Sequence, residues 1–276
     1  MRSLIRFGRR FPAAVAGMVF LFLITVGAIA APALTPYSPT IPRIKERFLR
    51  PNIQYVFGTD DLGRDLLARV LYGGRSTLAA GVLSVIAAML VGSLIGVMGG
   101  YVGGWLDNAL MRLMDIMLSF PAILLAILIV ASLRPGLLNV VVAISFSMVP
   151  SFARLMRSVV LGLVHLEHVT AARALGCSSS HIIARHIVPN TLPLVFVQAT
   201  ASLAVAISTS AALNYLGLGV EPPHPDWGLM VSEGQKHVFT AAYIAFIPGL
   251  FITLTVLSAN FIGDALRDYL DPVLRR

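Results

Sequence analysis

Cysteine and lysine are nearly missing from this sequence of 276 residues. Cys177 is the single cysteine, so no intrachain disulfide can form and a disulfide scaffold is excluded, with the redox compartment left open. The two lysines, Lys45 and Lys236, do not follow a glycine. A G-x-x-x-x-G-K-[ST] phosphate loop is therefore absent, and the chain has no P-loop ATPase of its own. Charge is scarce as well: 12% of residues are charged and 57% are apolar, against about 25% and about 45–50% in an ordinary soluble domain. Mean hydropathy is +0.83. This balance excludes a disordered chain and argues against a soluble globule, which leaves an integral membrane protein. The net charge of +8 comes from basic residues flanking long apolar runs. That placement fits loops at a membrane surface rather than nucleic-acid binding.

A membrane helix needs about 20 mostly apolar residues to cross about 30 Å of hydrocarbon. Six stretches lack Asp, Glu, Lys and Arg, and the shortest, Ile116 to Leu133, has 18 residues. They predict six helical spans with cores near 13–34, 76–100, 112–132, 137–156, 191–213 and 241–263. The ten-residue alternation of a lipid-facing barrel is missing. The expected class is an all-α integral membrane protein. The first span has a basic start and an Ala28-Ile29-Ala30 sequence like a cleavage site. Its apolar run exceeds that of a signal peptide, so a retained anchor is expected. Arg2, Arg6, Arg9 and Arg10 beside it place the N-terminus in the cytoplasm, and six spans return the C-terminus there. The expected organisation is a cytoplasmic tail 1–12, a six-span domain 13–263 and a cytoplasmic tail 264–276. Three segments lie outside the bilayer: an outer loop 35–75, stiffened by Pro36, Pro39, Pro42 and Pro51 with Pro32 just before it, an inner loop 157–190 and an outer loop 214–240.

The spans contain almost no ionisable residues. Asp115 is the deepest, and Arg112, three residues before it, is the expected local partner. An ion-coupled carrier places ionisable groups or broken helices at mid-membrane, so the energy for transport is expected from elsewhere. Small polar residues do enter the spans. Ser147, Ser151 and Ser158 share one helix face, and Gln198, Ser202 and Thr209 share another. They either line a passage for a polar solute or bond between packed helices. Gly92, Gly96 and Gly100 predict close helix packing, within this chain or with another.

The inner loop reads His168-Val-Thr-Ala-Ala-Arg-Ala-Leu-Gly176-Cys-Ser-Ser-Ser180, followed by His181 to Asn190. A helix over 166–175 should end at Gly176 in a left-handed C-cap, and Ser178, Ser179 or Ser180 should cap a second helix. Ala171, Ala172 and Ala174 with Gly176 give a small face on which another protein could pack closely. Pro189 and Pro193 punctuate entry to the fifth span. Other constellations have bland readings. Asp60, Asp61 and Asp65 lack EF-hand spacing. Thr59 or Asp60 is expected to cap an amphipathic helix over 62–72 whose apolar face is Leu66, Leu67, Val70 and Leu71. His165, His168, His181 and His186 lack zinc-protease spacing and read as surface histidines, so no metal site is expected. No nucleophile motif is present and no catalytic residue is expected. Tyr101, Trp105 and Trp227 are placed like interfacial anchors.

The inner segment resembles the EAA loop of binding-protein-dependent ABC importer permeases, E-A-A-x3-G-x9-I-x-L-P. Ala171, Ala172, Gly176 and Pro189 match it, while Thr170, His186 and Val188 replace Glu, Ile and Leu. Three further stretches are similar to the C-type permeases of dipeptide, oligopeptide and nickel importers. They are Phe57-Gly58-Thr59-Asp60-Asp-Leu-Gly63-Arg64-Asp65, Tyr215-Leu-Gly217-Leu-Gly219-Val-Glu-Pro222-Pro223-His-Pro-Asp-Trp227-Gly228, and Gly263 to Pro272. The resemblance implies the type I ABC importer permease architecture in a bacterial inner membrane. It implies Thr170, Ala171, Ala172, Arg173, Gly176 and Pro189 as the ATPase-coupling loop, and a first outer loop facing the binding protein or the outer gate. It further implies a second permease, two cytoplasmic ATPases that hold ATP and Mg, and an extracytoplasmic solute-binding protein. No cofactor is expected on this chain. The implied solute is a di- or oligopeptide, with nickel or its chelate as the alternative. An ion-coupled carrier or a membrane enzyme would need a mid-membrane ionisable residue or a polar catalytic cluster.

Overall fold

The structure, a computed structural model, describes residues 10–270. The arginines at positions 2, 6, 9, 275 and 276, and the end of the Gly263–Pro272 motif, lie outside the described residues. Among the described residues the chain is helical. The elements are α1 (Pro12–Ile29), α2 (Ala31–Leu34), α3 (Leu66–Val102), α4 (Gly104–Leu118), α5 (Ala122–Ser132), α6 (Leu137–Leu163), α7 (Glu167–Ala174), α8 (Ser179–Ile182), α9 (Val188–Tyr215), α10 (Trp227–Gln235) and α11 (Tyr243–Leu270). Among the described residues one 3-10 turn, Ile44–Glu46, lies in the long loop between α2 and α3.

Five helices are long and apolar enough to cross a membrane unbroken; α4 and α5 make a sixth span only as a pair bent by 89°. The expected straight third span is therefore corrected. The break falls at Ser119–Pro121. Proline supplies no N–H to the helix ladder and pushes the residue before it out of the helical region. At 1.5 Å per residue, α4 and α5 reach about 22 and 16 Å, so neither crosses alone. Pro150, Pro193 and Pro248 lie inside α6, α9 and α11 without breaking them; in a bundle neighbouring groups can satisfy the freed carbonyls.

The core of the bundle is α3 packed along α6. The glycine face makes this possible. A Cβ on Gly92 would lie 2.6 Å from the Val149 carbonyl, and one on Gly96 would lie 2.4 Å from the Ala153 carbonyl. A Cβ on Gly100 would meet Val160 Cβ at 2.9 Å. The G-x-x-x-G steps thus serve packing within this chain. Around the pair, α9 rests on α3, α6 and α11, and α1 rests on α11 and α3. Apolar residues of α3, α4, α5, α6 and α9 fill the centre, among them Ala88, Met114, Ala126, Ile144, Phe152 and Leu213.

Several boundaries differ from expectation. The helix expected over 62–72 is the first turns of α3, which rises unbroken out of the outer loop. Asp65 caps it, accepting from the Leu67 and Ala68 amides at 3.4 and 3.0 Å, in place of the expected Thr59 or Asp60. The loop 214–240, expected on the outer side, contains α10, capped by Asp226. At the other end, α6 runs to Leu163. The segment after Gly176 is not a free second helix: α8 passes through a π-helical turn, Ile183–Ile187, directly into α9. The last helix continues past the expected end at 263 to Leu270.

Candidate coupling loop and outer cap

The candidate residues gather at two ends of the bundle. One carries α7, the other a cap made of the first outer loop and the segment around α10.

At the α7 end, Glu167 sits in the first turn and Arg173 in the last, each matched to the helix dipole. Gly176 has φ +81°, the left-handed turn expected of it. Ser178 then accepts from the His181 amide at 3.4 Å to start α8. The small face divides. Ala172 is buried with Val169, Ile182 and Ile187 against Val97, Met156 and Val160. Thr170, Ala171, Arg173, Ala174 and Gly176 are exposed, and Leu175 is 85% exposed. The expectation that all three alanines face a partner is corrected: Ala172 belongs to the core because it lies on the same side of the helix as Val169. Thr170 Oγ1 donates to the Glu167 carbonyl at 2.9 Å, so the residue at the family's glutamate position turns back on its own helix. The Arg173 guanidinium lies 5.7 Å from the Tyr101 ring, which seats α7 on the end of α3. Pro189 is exposed in the first turn of α9. His168 and His181 each stand about 6 Å from His186, ring to ring. Among the described residues no group of three or more His, Cys, Asp or Glu side chains could hold a metal ion.

At the cap, the motif residues build an ionic knot. Asp60 Oδ1 accepts from the Leu62 and Arg64 amides, and its Oδ2 accepts from Arg64 Nε at 2.6 Å. Arg69 Nε lies 3.4 Å from the same oxygen. Glu233 of α10 takes Arg69 Nη2 at 2.6 Å and Arg64 Nη2 at 3.4 Å. Both arginine side chains are almost fully buried, at 3% and 1% exposure. Two buried guanidiniums are tolerable only when their charge is met in this way. Thr59 donates to the Glu46 carbonyl at 2.5 Å and accepts from the Leu49 amide, closing the loop on itself. Gly58 and Gly63 take φ +79° and +75°; a Cβ on Gly63 would stand 1.9 Å from the Arg43 carbonyl. Burial pushes the Asp65 carboxyl above its ordinary range, against the Ala68 and Leu67 amides that lower it.

The second motif locks onto the same cap. Gly217 takes φ +77°, and Asn214 Oδ1 accepts from the Val220 amide at 2.7 Å beside Gly219, where no Cβ fits. Pro222 and Pro223 are exposed and joined by a cis bond. Gly228 lets α10 approach the Ala211 carbonyl, 2.2 Å from where its Cβ would stand. Trp227 is fully buried and donates Nε1–H to the Val70 carbonyl at 2.8 Å, which corrects its reading as an interfacial anchor. Asp226 accepts from Thr77 at 2.7 Å, from Ser76 at 3.1 Å and from the Gly228 amide at 2.9 Å. Burial pushes its carboxyl up, with the Thr77 hydroxyl the largest opposing effect. Neither Arg69 nor Glu233 was expected from the sequence. Their positions lie 164 residues apart, and no local spacing links them.

The small polar residues of the spans do not converge. Ser147 is buried and donates to the Ile144 carbonyl. Gln198 donates to buried Ser202 at 3.4 Å on its own helix. Thr209 is half-buried and Ser151 is exposed. Asp115 does not pair with Arg112. Its partner is Arg154 of α6, Nη2 to Oδ1 at 2.5 Å, across the contact between α4 and α6.

Comparisons with known proteins identify the family. Residues 92–276 match the family described as binding-protein-dependent transport system inner membrane component. Residues 4–54 match the N-terminal TM domain of oligopeptide transport permease C. A dipeptide transport system permease protein, DppC, of Alkalihalophilus pseudofirmus is 43% identical over 95% of this chain and 86% of its own length. A glutathione transport system permease protein, GsiD, of Pectobacterium atrosepticum is 40% identical over 98% of this chain and 90% of its own. Among solved structures, the MetNI methionine ABC transporter in an inward-facing conformation aligns with a TM-score of 0.56 at 21% identity, over 73% of this chain and 96% of the matched one. That likeness shows the fold, the type I permease architecture. The chain belongs to the binding-protein-dependent inner membrane component family and is a multi-pass permease subunit of an ABC importer, a transport component rather than an enzyme.

Proposed function

We propose that this permease carries di- or oligopeptides across a bacterial inner membrane, with both termini in the cytoplasm. The reading rests on one observation above all: relatives named for dipeptide and glutathione transport are 40–43% identical over nearly the whole chain. A second, homologous permease completes the passage. Two cytoplasmic ATPases bind ATP and Mg; this chain binds no cofactor. An extracytoplasmic binding protein delivers the solute to the cap.

The exposed side of α7 supports a role in coupling. Ala171, Ala174 and Leu175 are exposed, while Val169 and Ala172, with Arg173 against Tyr101, root the helix in the bundle. An ATPase that grips this side moves the ends of α3, α6 and α9 together, since all three contribute to the same apolar cluster. ATP shifts the bundle between its states only through the difference in affinity that each state offers. The test is uptake by the purified four-subunit complex in liposomes with its binding protein. ATP-dependent accumulation of a labelled dipeptide is expected. Accumulation of nickel without peptide would overturn the peptide assignment, and uptake without ATP would overturn coupling.

A further inference from the structure

Helix α4 shows three faces. Asp107, Met114 and Met117 are buried in the bundle. Ala109, Leu113, Ile116 and Phe120 form an exposed apolar stripe at steps of four, three and four. Asn108, Arg112, Asp115 and Ser119 repeat those steps one residue earlier, so they form an exposed polar stripe about 100° round the helix. Facing it on α6, Ser151, Arg154 and Ser158 are exposed at steps of three and four. Asp115 and Arg154 join the two stripes, and each side chain remains about half open, at 51% and 52% exposure. Nearer the cap, the exposed side of α6 turns apolar, with Val142 and Phe146.

The depth of the pair gives it meaning. Arg154 lies nine residues before the end of α6, and Asp115 eleven residues into α4. At 1.5 Å per residue along α6, Arg154, and with it the Asp115 carboxylate that it holds, lies about 13 Å from the α7 end of that helix. The interfacial layer is about 5–7 Å on each side of the hydrocarbon. A charged side chain at such depth is costly in lipid and faces water or another polar surface. The neighbouring apolar stripe is the natural lipid or protein contact of the same helix.

From this we infer that the polar stripes of α4 and α6 are one wall of a water-filled passage that opens toward α7. The Asp115–Arg154 pair is its charged station, Arg154 meeting the carboxylate and Asp115 the ammonium of a zwitterionic solute. The inference rests on the permease reading and moves the passage away from Gln198, Ser202 and Thr209. It also gives the pair a role that a local contact between Arg112 and Asp115 could not have.

The test uses the assembled complex in inside-out vesicles, with Cys177→Ser as background. Single cysteines replace Asn108, Ser151 and Leu113, and a charged, membrane-impermeant methanethiosulfonate is the probe. Complete labelling of N108C and S151C, with L113C untouched, is expected. Unlabelled N108C and S151C, or equal labelling of all three, overturns the passage. Labelling uses no solute, so a wrong peptide assignment leaves the test of the passage intact. For the station, loss of dipeptide uptake in Arg154→Gln and its partial return in Arg154→Lys are expected. Wild-type uptake by Arg154→Gln overturns the station.

Discussion

At the scale of single residues, Asp226 closes the cap by capping α10 and tying it to α3 through Thr77 and Ser76. Its carboxyl is raised by burial. A raised acid stabilises the fold when protonated, fully so below its unfolded value of about 3.9, and loses that contribution as pH rises through its folded value. The asparagine variant keeps the cap oxygen and has no titration. Wild type should therefore gain thermal stability relative to Asp226→Asn as pH is lowered through this window, read by melting of the purified complex. A difference that shrinks on acidification would refute it. Gly96 makes a second case. With the Ala153 carbonyl 2.4 Å from its missing Cβ, Gly96→Leu must part α3 from α6. Overpacking of this kind costs about 1–3 kcal/mol or more, so the expected outcome is loss of assembled complex on size-exclusion chromatography. The glycine spacing was legible in the sequence because contact between helices needs small residues at one face. The partner of Asp115 was not, because the competing arginine on α6 stands 39 positions away.

At the scale of elements, α7 was readable to within a residue or two, since glycine and serine signal the end of one helix and the start of the next. Its orientation was not, because a helix of alanines has no apolar stripe strong enough to tell inside from outside. Gly176 is exposed with open space around it, so a larger side chain meets only the backbone strain of a positive φ. Gly176→Leu should insert and assemble normally, yet lower ATP-dependent uptake, as α7 shifts from its seat on Tyr101. Wild-type uptake by the variant would remove α7 from coupling. The bend between α4 and α5 was hidden for another reason. The run from Ile116 to Leu133 is uncharged throughout, and hydropathy counts residues without regard to direction. Pro121 was the available signal.

At the scale of the whole molecule, five unbroken membrane segments and the place of the bent sixth followed from hydropathy, while the knot of Asp60, Arg64, Arg69 and Glu233 did not. Charges at opposite ends of a chain find one another only through topology. The same knot fixes the upper end of α3, and α7 sits on its lower end through Arg173 and Tyr101. The helix between them has 37 residues and no break, a rod of about 55 Å. Such a rod has no joint at which motion can be absorbed. Swung about its lower end by about 5°, it sweeps the cap sideways by about 5 Å over that length. Small angular work done on one side of the bilayer is thereby geared up into a shift on the other side, one as large as the spacing between neighbouring strands of a sheet.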